Sequence, residues 1–222
     1  MLKWLLGIFT IKKKTSEVSV KNSPPLSNIA IDISHHNKKV ILSALTKYAF
    51  VSLKATEGRT YIDSTFEHRW LGLGLLGIKR SAYHFYRANV PWYFQAEHFI
   101  KTVGELKLSD MPLALDIEIC EVRGIEQTKE EIKAAMSRGE IAAFLEYIYK
   151  ATGRLPYIYI NPNLANYLKL SPYYAKYPLW LADYTPPANI PAPWTTWDVW
   201  QYSEKGNVEG IDGNVDMNMV RT

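Results

Sequence analysis

Pro112-Leu113-Ala114-Leu115-Asp116-Ile117-Glu118-Ile119 is an apolar, strand-like run with carboxylates at two alternate positions. A strand turns successive side chains to opposite faces, so Asp116 and Glu118 leave the same side of a sheet, about 7 Å apart along the backbone. Neighbouring carboxylates resist being charged together. A buried pair costs free energy unless something ionic, hydrogen-bonded or catalytic sits against it. A solvated strand end, or a neutralising Lys or Arg, is the structural explanation for such a pair. A catalytic explanation requires more chemistry at the same place.

Outward from this run the chain alternates β-rich and helix-like segments. Strands are predicted at 28–34, 48–56, 78–86, 112–119 and 157–161 from their Val, Ile and Tyr content and bounded lengths. Helices are predicted between them, at 38–46, 63–76, 91–106 and 138–152. This alternation implies parallel strands joined by crossover helices. After Asn161 the helices shrink while strands continue at 178–184, 197–203 and 214–220. The expected fold class is α/β: a single irregular TIM-like β/α barrel of about eight strands and roughly five helices, its last strands lacking crossover helices.

In such barrels the chemistry collects at the C-terminal edge of the strands. By that rule Asp32 lies near the end of the first strand, Glu57 follows the second, His84 sits in the third, and Asp116 and Glu118 end the fourth. Asn161 ends the fifth, Asp183 and Tyr184 the sixth, Gln201 and Tyr202 the seventh, and Asp216 lies in the eighth. Four acids converging on one mouth, Asp32, Asp116, Glu118 and Asp216, outweigh the explanation by solvated surface that one pair allows.

The bulk properties agree with one catalytic domain. A length of 222 residues does not require two. Seven Trp and fifteen Tyr supply flat rings with polar edges, suited to core packing and to stacking on sugar faces alike. Cys120 is the only cysteine, which excludes an intramolecular disulfide and cysteine-based zinc sites. His35 and His36 are adjacent, would face opposite ways on a strand and have no evident third ligand, so no metal and no cofactor is assigned.

Residues 1–27 stand apart from the barrel at 28–222. Met1 to Ile11 is mostly apolar but shorter than the about 20 residues a spanning helix needs. Its strongest basic cluster, Lys12 to Lys14, follows the apolar part, the reverse of a secretory signal. An interfacial or loosely packed helix, a disordered tail and a cleaved signal are the readings of this segment, with residues 15–27 as a linker. Five lysines in the first 21 residues account for much of a net charge of +4 and suit a weak contact with an anionic membrane or envelope.

At this point a family resemblance becomes visible. Ile31-Asp32-Ile33-Ser34-His35, Phe50-Val51-Ser52-Leu53-Lys54-Ala55-Thr56-Glu57-Gly58, Ala82-Tyr83-His84-Phe85, Leu115-Asp116-Ile117-Glu118, Pro178-Leu179-Trp180-Leu181-Ala182, and Trp200-Gln201-Tyr202-Ser203 through Val215-Asp216 resemble, in order, the motifs of glycoside hydrolase family 25. The resemblance extends from about Asn28 to Arg221. It implies a muramidase on a shortened β/α barrel, hydrolysing the β-1,4 bond between N-acetylmuramic acid and N-acetylglucosamine of peptidoglycan. Position by position, Glu118 matches the general acid/base, Asp116 the carboxylate beside it, and Asp32 and Asp216 two further acids of the site.

Glycosidic cleavage requires a proton for the leaving oxygen and stabilisation of a positive sugar centre. Glu118 supplies the proton if Asp116 raises its pKa, with Asp116 remaining ionised. Carboxyl groups that flank a sugar stand about 5 to 5.5 Å apart in retaining enzymes and about 6.5 to 9.5 Å apart in inverting ones. Two acids on one strand face are poorly placed to flank it. A retaining route in which the substrate's own acetamido group attacks, oriented by Asp116, fits better.

Tyr83, Trp180, Tyr184 and Trp200 are candidate stacking rings, each equally suited to the core. His84 is a candidate donor to substrate or to Asp116, and also suits a satisfied core position. Asp183 and Gln201 complete the expected substrate-binding set. Glu121, Glu126, Glu130, Glu131 and Glu140 mark a solvated, partly helical insertion or one wall of a glycan groove. The expected partner is peptidoglycan, met by a monomer in the periplasm or outside the cell, with phage endolysin and bacterial wall-remodelling enzyme as the two settings. A chitinase-like amino-sugar hydrolase and a non-catalytic wall-binding module are the alternatives. Nucleic acid is excluded because the acidic mouth repels phosphate.

Overall fold

The computed structural model describes residues 28–122 and 125–222. The expectations for residues 1–27 lie outside the described residues. In chain order the strands are β1 (Ile29–Ile33), β2 (Val51–Glu57), β3 (Tyr61–Ile62), β4 (Arg80–Phe85), β5 (Ala114–Asp116), β6 (Cys120–Val122), β7 (Ile125–Gln127), β8 (Tyr157–Ile160), β9 (Leu179–Ala182), β10 (Val199–Gly206) and β11 (Val215–Val220). Eight of them form a ring in the order β1-β11-β10-β9-β8-β5-β4-β2, closed by pairing of β1 with β2. β3 extends β2 outside the ring, and β6 and β7 form a separate hairpin.

Every neighbouring pair in the ring is parallel except those of β11, which runs antiparallel to both β10 and β1. This reversal decides where Asp216 goes. It is the second residue of β11, and only an antiparallel strand brings its beginning to the edge where the others end. Alternation along the strands sorts the rest. Ile31, Ile33, Leu53, Leu115, Ile158 and Leu181 face outward into the main core with Leu73, Phe99, Phe144, Leu145 and Ile148 of the surrounding helices. Ala30, Phe50, Ala114, Tyr157, Trp180 and Val199 fill the barrel itself. Trp180 is the plug, its ring edge-on to Phe50 and Tyr157 at 5.8 Å and to Tyr159 at 6.1 Å. Aromatic pairs in this arrangement add about 0.5–1.5 kcal/mol each beyond the area they bury.

The helices are α1 (Phe66–Leu75), α2 (Trp92–Val103), α3 (Lys129–Ser137), α4 (Glu140–Thr152) and α5 (Pro162–Leu168). The helix predicted at 38–46 is instead a 3-10 turn at Leu42–Lys47. Its first half is held extended because Val40 bridges to Ile211 and Ile41 N donates to Gly210 O. In the acid-rich insertion, α3 begins at a reciprocal cap between Thr128 and Glu131. Asn161, expected at the rim, caps α5 by accepting a hydrogen bond from Leu164 N at 2.9 Å. The strand predicted to run to Ile119 leaves the sheet after Asp116.

Candidate active site

The four acids meet. Asp32 of β1, Asp116 at the end of β5, Glu118 two residues beyond it and Asp216 of β11 line one cavity at the mouth of the barrel, with Tyr83, Tyr159 and Gln201 on its walls and Trp180 at its floor. Asp32 and Asp216 are partners across the β1–β11 ladder. The neutral residues around Asp32 are fixed by elementary donor logic. An indole N–H can only donate, so Trp180 Nε1, 2.8 Å from Asn218 Oδ1, orients that amide. Asn218 Nδ2 is thereby turned on Asp32 Oδ2 at 2.8 Å, where Gln201 Nε2 also donates at 3.1 Å. Gln201 Oε1 in turn accepts from Tyr159 OH at 3.0 Å and Tyr184 OH at 2.8 Å. A connected network therefore runs from half-exposed Tyr184 at the rim to buried Asp32.

Burial sets the acidities. It raises the pKa of Asp32 against the opposing effect of the Asn218 and Gln201 amides. It pushes Asp216 up to about 8, helped by the charge of Asp32. Asp116 is raised well above the carboxylate range by burial first and by Glu118 next; Glu118 is raised by burial while its hydrogen bond to Asp116 pulls the other way. The sequence-based expectation placed the proton on Glu118 and the charge on Asp116. The stronger upward push falls on Asp116, the deeper of the two, with Glu118 beside it raised in the same direction. Lys54 opposes the rise at both acids, and its Nζ is held 2.7 Å from Glu57 Oε2. Asp116 Oδ1 is buried and receives no N–H or hydroxyl donor among the described residues.

Of the expected substrate contacts, Tyr83, Trp180 and Gln201 line the cavity. Trp180 is only 2% exposed, a floor rather than a stacking platform. Tyr184 stands at the edge through Gln201. Three expectations are corrected. His84 faces away from the cavity, fully buried between Phe99 and Phe144, with Nδ1 2.8 Å from Thr56 Oγ1 and Nε2 3.1 Å from Gln95 Oε1. Trp200 points outward, its ring 6.0 Å from Trp197 and its Nε1 donating to Asp183 O at 2.6 Å. Asp183 accepts from Thr185 N at 3.0 Å and Asn189 N at 2.9 Å, organising the loop after β9 instead of lining the cavity.

Two residues of the site escaped the sequence reading: Tyr159, which lines the cavity, and Asn218, which is buried behind Asp32 and donates to it. Both were within reach of it, because Tyr159 lies two residues from Tyr157 and Asn218 two residues from Asp216, on the same strand faces. His35 is tied to Asp63, with Nδ1 2.7 Å from Oδ2, and among the described residues no cluster of three or more His, Cys, Asp or Glu is arranged to hold a metal.

Comparison with known proteins adds to this geometry. Residues 31–211 match the sequence profile of Glycosyl hydrolases family 25. YegX, an uncharacterised protein of Escherichia coli, is 30% identical over 85% of this chain and 68% of its own length. Lysozyme M1 of Streptomyces globisporus is 32% identical over 85% of this chain and 66% of its own. The crystal structure of a bacterial lysozyme from Streptomyces coelicolor superposes with a TM-score of 0.78 at 29% identity, covering 90% of this chain and 93% of that one.

Proposed function

The chain belongs to glycosyl hydrolase family 25, and from the acids gathered at its barrel mouth we infer that it is a lysozyme, an N-acetylmuramidase hydrolysing the β-1,4 bond between N-acetylmuramic acid and N-acetylglucosamine in peptidoglycan. The observation that carries the reading is the single cavity lined by Asp32, Asp116, Glu118 and Asp216. Glu118 acts as general acid and then as base. Asp116 orients the substrate, and Asp32 with Asp216 completes the charge balance of the mouth.

The reaction is retaining and substrate-assisted in this proposal. The acetamido oxygen of the muramic acid residue attacks its own anomeric carbon while Glu118 gives its proton to the departing glycosidic oxygen. The cyclic intermediate is then opened by water, whose proton returns to Glu118. Support comes from Asp116 Oδ1, a buried acceptor on the cavity wall that receives no N–H or hydroxyl donor among the described residues and for which the acetamido N–H is a fitting donor. Lysozyme M1 and the Streptomyces coelicolor structure, both named as lysozymes, favour this reading over a chitinase or a binding module.

The enzyme acts on the bacterial cell wall. The route there, the monomeric state and the role of residues 1–27 as a basic segment resting against an anionic membrane or envelope complete the proposal. The test is to digest purified peptidoglycan, reduce the new sugar ends with borohydride and identify them by mass spectrometry, with Glu118→Gln in parallel. New muramitol ends from the wild type, diminished about 10²–10⁴-fold in the variant, are expected of a general acid. Glucosaminitol ends would instead make the enzyme a glucosaminidase.

A further inference from the structure

The peptide that carries Glu118 has already left the barrel sheet. The last ladder contacts of this strand are Tyr86 N to Asp116 O and Ile117 N to Tyr159 O, both at 3.0 Å. One residue later the partner is a side chain. Gln127 Nε2 donates to Glu118 O at 2.8 Å and to Tyr86 O at 2.9 Å, while its Oε1 accepts from Ala88 N at 2.7 Å. The amide thus bridges the extension of β5 to the extension of β4, where no backbone ladder does. Gln127 is 3% exposed and stands opposite Cys120 in the β6–β7 hairpin. Cys120 is itself held, its Sγ accepting from Arg87 Nη1 at 2.9 Å.

We propose that Gln127 is a positioning residue for Glu118: its side-chain amide replaces the missing ladder and fixes the peptide from which the general acid projects. The inference rests on Glu118 being that acid. The residue type is specific to the task. One nitrogen must donate twice and an adjacent oxygen must accept, all in a dry site, and a carboxylate or thioether of the same length cannot do this. Positioning acts on the transition state more than on substrate binding, and a misplacement on the order of 1 Å costs about 100-fold in rate.

The experiment uses the full chain with Gln127→Met, Gln127→Glu, Glu131→Ala and Glu118→Gln. It measures kcat, KM, the pH profile of kcat on soluble glycan strands, and Tm. Gln127→Met is expected to lower kcat about 10- to 100-fold with KM changed less than about threefold, and to shift the limb of the profile set by the Asp116–Glu118 pair. Glu131→Ala, which removes the carboxylate half of the reciprocal cap of α3 but leaves the Gln127 amide in place, should lower Tm and keep kcat and its profile. Should Gln127→Met not fold, Gln127→Glu retains length and the acceptor for Ala88 N and serves the same test.

Wild-type kcat and profile in a folded Gln127 variant would overturn the proposal, as would an equal loss of kcat in Glu131→Ala. Glu118→Gln separates the two levels. If it is inactive while the Gln127 variants behave as wild type, only the positioning role falls. If it turns over normally, the assignment of Glu118 falls and the positioning role with it.

Discussion

Asp32 and Asp216 stand opposite one another in the antiparallel β1–β11 ladder, two acids paired across a sheet at the mouth of the barrel. Directly opposed like charges are destabilising, and this pair avoids the conflict by keeping a proton. Burial, and then the charge of Asp32, pushes Asp216 up to about 8, so that Asp216 is the protonated partner at neutral pH and Asp32 the acceptor.

Linkage gives that proton a consequence for stability. An unfolded Asp titrates near about 3.9, so between about pH 4 and 8 the folded chain retains a proton that the unfolded chain has released. The contribution of Asp216 is fully present below that window and declines as pH rises through it. Asp216→Asn keeps the neutral form at every pH. Its Tm should therefore exceed that of the wild type by a few degrees at pH 8 and match it near pH 4. A Tm difference that is the same at both pH values would show that Asp216 is not the group holding the proton.

His84 carries the opposite sign. Burial lowers its pKa to about 3, against the opposing effect of Gln95. From about pH 6.5 down to about 3 the unfolded imidazole takes up a proton that the folded one refuses, so this contribution is present above the window and lost as pH falls through it. Replacing His84 by Ala removes a packed ring and two buried hydrogen bonds, and should cost about 3 kcal/mol in urea unfolding at pH 7. Because His84 faces the helices, kcat on glycan strands should stay within about threefold of wild type where the variant is folded. A loss of kcat well beyond that would return His84 to the site.

The barrel and its four acids were legible because both are written in strand periodicity. Asp116 and Glu118 sit two apart, and the strands around them recur at regular spacing. The same period of two exposes the errors. Tyr83 and His84, and Trp200 and Gln201, are adjacent pairs, and within one strand only one member of each pair can face the barrel; Asp183 lies past the end of β9, where that period no longer holds. Tyr83 and Gln201 won those places because His84 carries the outward face of its strand onto the helices and Trp200 that of its own strand onto Trp197 and the Asp183 carbonyl. The antiparallel course of β11 was not legible, since direction depends on which neighbours close the ring and not on the composition of Asn214 to Val220. Gln127 was invisible for a related reason: its partners, Tyr86, Ala88 and Glu118, are all backbone groups distant in sequence.

The place of Asp116 on the cavity wall gives a prediction about substrate. If Asp116 holds the acetamido group that attacks the anomeric carbon, removing the acetyl group from muramic acid removes the nucleophile and leaves the rest of the sugar in place. De-N-acetylated glycan strands should lose turnover by about 10³-fold or more, given the advantage of a well-oriented intramolecular attack, while still competing for the site. Intact-protein mass spectra taken during turnover should show no glycosyl ester. A stable adduct on Asp116, Asp32, Asp216 or Glu118 would replace this mechanism with a protein nucleophile.

We propose that residues 1–27 are separable from the chemistry. The ring is closed by β1, which begins at Ile29, and every residue placed in the site lies in or beyond that strand. A chain beginning at Asn28 should therefore keep kcat on isolated peptidoglycan within about twofold. The five lysines at Lys3, Lys12, Lys13, Lys14 and Lys21 leave with the segment, and at about 1 kcal/mol per residue near an anionic surface their loss should abolish sedimentation with phosphatidylglycerol vesicles at low salt. Unchanged vesicle binding would locate the contact on the barrel. A large fall in kcat on isolated peptidoglycan would show that the segment packs against the catalytic domain and supports it.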